Sequence, residues 1–116
     1  MKFKYEVDIK KLNLIEPIQE HLQKTGQKDI FESFVTNLLS AKYPQGFDDK
    51  MRRSHNRFLE KLDLSENGTI EVDTRDLDLL SEILLDEKLL THPKQTRLFY
   101  ALQANLKEVL EGQKEG

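Results

Sequence analysis

No cysteine occurs among the 116 residues. That excludes disulfides, thiolate metal sites and a cysteine nucleophile, and it suits a reducing compartment. Long apolar runs are missing too. No segment approaches the roughly 20 residues of a membrane span, and the opening MKFKYEVDIKK alternates charged and apolar residues where a secretion signal would carry an apolar core. The expectation is a cytoplasmic protein without membrane attachment. There is no GxSxG, phosphate loop, HExxH or dinucleotide fingerprint. The three histidines, His21, His55 and His92, lie far apart, and none has a ligand-like neighbour four residues on, so they are expected at the surface. Neither catalysis nor a cofactor is expected.

What the chain does have is charge. Charged residues make up 34% and apolar residues 37%, and the apolar ones fall in periodic groups, which indicates an ordered helical domain rather than a disordered chain. No linker or repeat divides it. A single domain over residues 1–112 is expected, with a frayed polar tail at 113–116. The net charge of −3 conceals an asymmetry: residues 1–61 carry 12 Lys/Arg against 9 Asp/Glu, and residues 62–116 carry 6 against 12. Within residues 63–87 only Arg75 is basic, against nine carboxylates. Such a distribution gives either a polarised surface or two segments that neutralise each other inside the fold.

Phe3, Tyr5, Val7 and Ile9 alternate with charged residues, the period of a half-buried strand over 2–9. Pro17, Ile18 and Leu22 predict a short first helix that stops at Gly26. A second helix, N-capped by Asp29 and Glu32, presents Ile30, Phe31, Phe34, Val35, Leu38 and Leu39 and ends at Tyr43-Pro44. Asp48 caps a third over 49–62, with Met51, Phe58, Leu59 and Leu62 toward the core and Lys50, Arg53, Arg57 and Lys61 along another face. An Asn67-Gly68 turn and a strand over 69–73 lead to a fourth helix opening at Asp73 or Thr74. That helix has Leu77, Leu79, Leu80, Ile83, Leu84 and Leu85 on one side and a solvated acidic face of Asp76, Asp78, Glu82, Asp86 and Glu87. Thr91-His92-Pro93 starts a fifth, which ends at Gly112. Tyr43, Phe47 and Tyr100 read as rim residues of the core. The fold class is therefore α+β, about five helices on a small antiparallel sheet that pairs strand 2–9 with strand 69–73. The alternative is an all-α bundle with an extended N-terminal arm.

Three candidate sites follow. Asp63, Ser65, Asn67, Gly68, Thr69 and Glu71 supply oxygen ligands and a turn glycine at alternating positions, and the segment 63–74 resembles the twelve-residue loop of the EF-hand family. The resemblance implies a calcium site using Asp63, Ser65, Asn67, Thr69 and Glu71. It departs from the family at the last position, where Thr74 stands in place of a bidentate glutamate. The second candidate is the basic helix 49–62, whose Lys50, Arg52, Arg53, Arg57 and Lys61 have the spacing to contact nucleic-acid phosphates. Against nucleic acid stand the interleaved Asp48, Asp49 and Glu60 and the acidic whole. The third combines both charged faces, Lys50, Arg52, Arg53, Arg57 and Lys61 with Asp76, Glu82 and Asp86, as a surface that docks another protein. A small non-catalytic regulatory or adaptor protein, of the kind phages and mobile elements encode, is the leading functional expectation. A homodimer, basic helix against acidic helix, is a further form of the same idea.

Overall fold

The computed structural model describes residues 1–7, 16, 17, 20, 24, 26–89 and 96–115. Strand β1 is Lys2–Lys4 and β2 is Thr69–Glu71; the helices are α1 Gln27–Lys42, α2 Asp49–Leu64, α3 Thr74–Leu84 and α4 Thr96–Glu115, with a 3₁₀ turn at Glu87–Leu89. The α+β class holds, with four helices among the described residues where about five were expected. Most of the expected first helix, including Ile18 and Leu22, lies outside the described residues, as do Ile9, His21 and the Thr91-His92-Pro93 start. No described helix is long and apolar enough to cross a membrane.

The sheet has the expected partners but is shorter. Lys2, Phe3 and Lys4 face Glu71, Ile70 and Thr69 in antiparallel register. Val72 N donates to Met1 O at 2.7 Å, and Tyr5 N and Glu6 N both donate to Gly68 O, which ends the ladder at the turn. Alternation nonetheless persists past the strand, with Phe3, Tyr5 and Val7 buried. Strand β2 stops at Glu71 because Asp73 is taken as the cap of α3. Asn67 and Gly68 both have positive φ, 59° and 73°, as a type I′ turn requires, which explains the Asn-Gly pair.

Helix α1 opens on Gly26 with no side-chain cap, so Asp29 is not its cap; it sits in the first turn, where a carboxylate favours the helix dipole. Tyr43 ends α1 as expected. Asp48 caps α2 by accepting from Met51 N at 2.7 Å, and α2 runs two residues beyond the expected end. Helix α4 continues through Gly112 to Glu115; a single helical glycine costs about 1 kcal/mol without forcing a stop.

Helix α3 is the hub. It packs against α1, α2 and α4, which explains why Leu77, Leu79, Leu80, Ile83 and Leu84 are all buried on an eleven-residue helix. Leu85, expected to widen that face, is 42% exposed. Phe31 joins the sheet to the helices, stacked on Tyr5 at 5.4 Å and edge-on to Phe58 at 6.0 Å. Helix α4 closes the far side: Phe99, Leu102 and Leu106 are buried, and Asn105 Nδ2 donates to Lys4 O at 2.9 Å, covering part of the outer edge of β1.

His55 corrects the surface expectation. It is 8% exposed, edge-on to Phe47 at 5.6 Å, with Nε2 3.5 Å from Thr36 Oγ1. The ring lies on the inner face of α2, one helical turn before Phe58. Burial pushes its pKa below the ordinary 6.5. The unfolded chain therefore takes the proton first, so stability is full above pH 6.5 and declines as pH falls from there toward the folded-state pKa. We expect urea midpoints to drop between pH 7 and 5 and this part of the decline to flatten in His55→Gln. At the turn, a Cβ on Gly68 would collide with Glu6 Oε2 and come within 2.6 Å of Glu6 Cβ, at a φ that disfavours side chains. Gly68→Ala should therefore cost about 2 kcal/mol, with Asn67→Gly changing stability by less than about 1 kcal/mol, both read by denaturant unfolding.

Candidate functional site

The charged faces of α2 and α3 meet along one seam. The two helices run antiparallel, which brings the C-terminal half of α2 to the start of α3 and the start of α2 to the end of α3.

At the first of these junctions the charges cancel. Asp73 accepts from Arg75 N at 2.9 Å and Asp76 N at 3.1 Å, and Asp76 Oδ2 accepts from Asp73 N at 2.9 Å, a reciprocal capping box. Lys61 Nζ reaches Asp73 at 3.1 Å and Asp76 at 2.5 Å; Arg57 Nη2 lies 3.8 Å and 3.7 Å from the same two carboxylates. Asp76 is fully buried there, so it belongs to this clamp and not to the solvated acidic face assigned to it. Arg57 stands close enough for charge attraction, but its Nε and Nη2, like Asp76 Oδ1, have no hydrogen-bond partner. The hydrogen bond from the Asp76 backbone N–H, joined by Lys61 and Arg57, outweighs burial and holds the Asp73 carboxyl down at about 2 from its ordinary 3.8. Lys61 is driven the other way: burial opposes its charge, but hydrogen bonds and attraction from Asp76 and Asp73 outweigh this and raise its pKa.

A cleft of about 410 Å³ is lined by Lys50, Met51 and Ser54 from α2, by Arg75, Asp78, Leu79 and Glu82 from α3, and by Tyr43 and Asp48 from the connection. Met51, Leu79 and the Tyr43 ring supply its apolar surface. Tyr43 OH donates to Glu82 Oε2 at 2.9 Å, and Lys42 Nζ donates to Glu82 O at 2.8 Å. Burial, the bond to Glu82 and the nearby charges of Glu82 and Asp48 raise the Tyr43 pKa. Among the described residues, Lys50, Arg75 and Asp78 line the cleft without an ion-pair partner.

The remaining candidates separate. Arg53 is exposed and, among the described residues, unpaired, and Arg52 is exposed with Asp49 at 3.4 Å. Asp86 stands 4.0 Å from Lys42 and accepts from Lys88 N. In the loop 63–74, Asp63 is exposed, Ser65 Oγ donates to Leu62 O, and Glu71 accepts from the Met1 amino group at 2.7 Å. Lys28 Nζ meets Ser65 O at 2.8 Å and Asp63 O at 3.3 Å, so a side-chain ammonium holds the carbonyls at this corner. Among the described residues no three His, Asp or Glu side chains are grouped to hold a metal ion.

Sequence reasoning missed Gln103, which is buried and donates from Nε2 to Leu84 O at 2.7 Å, tying α4 to the end of α3. It sits beside Leu102 on a stripe read only for its apolar residues. The signal for Asp76 was present: an acidic residue three positions after an Asp cap marks a capping box.

No family model, curated protein or solved structure matches this chain.

Asp76→Asn keeps the shape and an acceptor for Asp73 N but removes the charge facing Lys61 and Arg57. We expect it to cost about 2–3 kcal/mol, and the loss to persist at 1 M salt because the pair is shielded from screening. Asp78→Asn, on the exposed side of the same helix, should change unfolding by less than about 0.5 kcal/mol.

Proposed function

We propose that this is a small non-catalytic regulatory or adaptor protein of the cytoplasm that acts by docking another protein on the open end of the α2–α3 seam. The observation that carries the reading is the division of charge along that seam. Arg57, Lys61, Asp73 and Asp76 are consumed by one another at the closed end. Among the described residues, Lys50, Arg53, Arg75 and Asp78 stay unpaired around or beside a cleft with an apolar floor. Ionised side chains without partners, next to partly buried apolar surface, are what a complementary protein surface desolvates to gain specificity. Folding has no need of these groups, since α2 and α3 are already joined at the clamp.

The basic residues available for docking are therefore Lys50, Arg52 and Arg53, while Arg57 and Lys61 serve the fold. This decides which variant is informative. Arg52→Glu/Arg53→Glu reverses exposed charge and leaves the clamp whole, so its melting temperature should stay within a few degrees of wild type. Chemical cross-linking and capture from the native cell, with the captured proteins identified by mass spectrometry, should recover a partner with wild type that is depleted at least tenfold with the variant. Equal recovery by both would remove this face as the docking surface.

A further inference from the structure

The five charged side chains that line the cleft differ in depth, and the difference narrows the chemistry of the partner; this deepens the docking proposal and rests on it. Asp48, Lys50, Arg75 and Asp78 are exposed, two of each sign, so the rim carries no net charge. Asp48 is also committed to the fold, capping α2 through Met51 N at 2.7 Å. Glu82 is the fifth, and it alone is half-buried. Its Oε2 accepts from Tyr43 OH at 2.9 Å. Lys42 is spent elsewhere, on the Glu82 main-chain carbonyl at 2.8 Å and beside Asp86 at 4.0 Å. Among the described residues the Glu82 carboxylate therefore has a phenol for a partner and no cation. The surface that shares the cleft with it is apolar: Met51 and the Tyr43 ring are half-buried, and Leu79, one helical turn before Glu82, is almost fully buried and forms the floor.

We propose that a single lysine or arginine side chain of the partner protein enters this cleft and pairs with Glu82. The aliphatic stem lies on Met51, Leu79 and the Tyr43 ring, and the charged head meets the carboxylate in a charge-assisted hydrogen bond. Tyr43 is the positioning residue: its hydroxyl takes one carboxylate oxygen, which holds Glu82 on the cleft wall and leaves the other oxygen for the incoming cation. An acidic side chain at this depth would face Glu82 with no cation between them, and a neutral one would desolvate the carboxylate without pairing it. A metal ion suits the lining less well. Among the described residues no three His, Asp or Glu side chains are grouped to hold one, and an ion has no stem to cover the apolar floor. The rim, with two charges of each sign, selects no sign for the neighbouring partner residues, so the recognised feature is one basic residue rather than a charged run.

The test follows backbone amide NMR shifts of the whole chain during titration with three blocked alanine pentapeptides. They differ only at the centre, which is arginine, its neutral isostere citrulline, or glutamate. The arginine peptide should saturate with a Kd on the order of 1 mM, the scale of one side chain in a preformed pocket, and shift the amides of Met51, Leu79 and Glu82. The citrulline peptide should bind at least fivefold more weakly. Glu82→Gln keeps an acceptor for the Tyr43 hydroxyl, and its amide spectrum shows whether the fold is kept; it should lose at least fivefold for the arginine peptide and leave the citrulline peptide unchanged. Lys50→Ala/Arg75→Ala should bind the arginine peptide at least as tightly as wild type. Equal binding of arginine and citrulline, no saturable shift at the cleft, or arginine binding that survives Glu82→Gln overturns the proposal. Preferred binding of the glutamate peptide, lost in Lys50→Ala/Arg75→Ala, overturns it in favour of an acidic partner residue at the rim. Cellular capture that still depends on Arg52 and Arg53 would in either case leave the docking proposal standing, so the two fail separately.

Discussion

An eleven-residue helix that touches every other described helix has few exposed residues left, and both of its ends must find hydrogen-bond partners within the protein. This constraint on α3 organises the molecule. Its first amides are satisfied by Asp73 and Asp76, and the two carboxylates so placed attract Lys61 and Arg57 from α2. Its last carbonyls are satisfied from elsewhere: Gln103 on α4 reaches Leu84 O, and Lys42 at the end of α1 reaches Glu82 O. Each end of the hub is thus a junction with a different helix. Unpaired, these groups would each cost about 1–3 kcal/mol, so the junctions are where apolar packing is given a fixed register.

The charge asymmetry of the sequence follows from this arrangement. A basic segment followed by an acidic one would be a solubility curiosity in a chain without tertiary contacts. Folded antiparallel, the two meet, and the part of each nearest the Asn67-Gly68 hairpin is neutralised. The part farthest from it is not: Lys50, Asp78 and Glu82 line a cleft there with Tyr43, whose ring is edge-on to Phe47 at 6.0 Å. One sequence pattern therefore does two things, separated by about two turns of helix: it fixes α3 against α2, and it leaves a cleft rimmed by both signs of charge.

Elements governed by local rules were legible in the sequence. The alternation of Phe3, Tyr5 and Val7, the Asn-Gly turn, the Asp48 cap and the proline stop after Tyr43 each depend on a few neighbouring residues, and each appears where the sequence puts it. Burial of polar groups was only partly legible. Asp76 precedes the buried Leu79, Leu80 and Ile83 by three, four and seven residues, on the opposite helical side from the exposed Asp78, but its pairing with Lys61 and Arg57, fifteen and nineteen positions earlier, is not a local signal. His55 was assigned to the surface because it lacks ligand spacing, yet absence of a ligand role says nothing about burial; its position three residues before Phe58, on the core side of α2, was the better guide. Gln103 is buried because the end of α3 needs a donor, a requirement that arises only once α4 is packed against it. The cleft belongs to the same class, since it exists only between helices whose packing no local pattern encodes.

The loop at 63–74 shows how one set of residues can satisfy two different demands. Small polar side chains at alternate positions and a glycine after asparagine suit a loop that wraps a cation, and they equally suit a chain that must leave a helix, reverse within two residues and enter a strand. What separates the two is the direction in which the oxygens are used. Here Ser65 Oγ turns back to Leu62 O, Glu71 faces the start of β1, and the carbonyls of Asp63 and Ser65 face Lys28 from α1. Lys28 sits near the C-terminal end of α2, where a cation is favoured by the helix dipole, and it binds the first turn of α1 to the last turn of α2. The positive charge that a cation-binding loop would draw from solution is supplied at this corner by the protein itself, and it reaches the loop's main chain rather than its carboxylates. The loop sets the reversal that brings Lys61 and Arg57 over the capping box of α3.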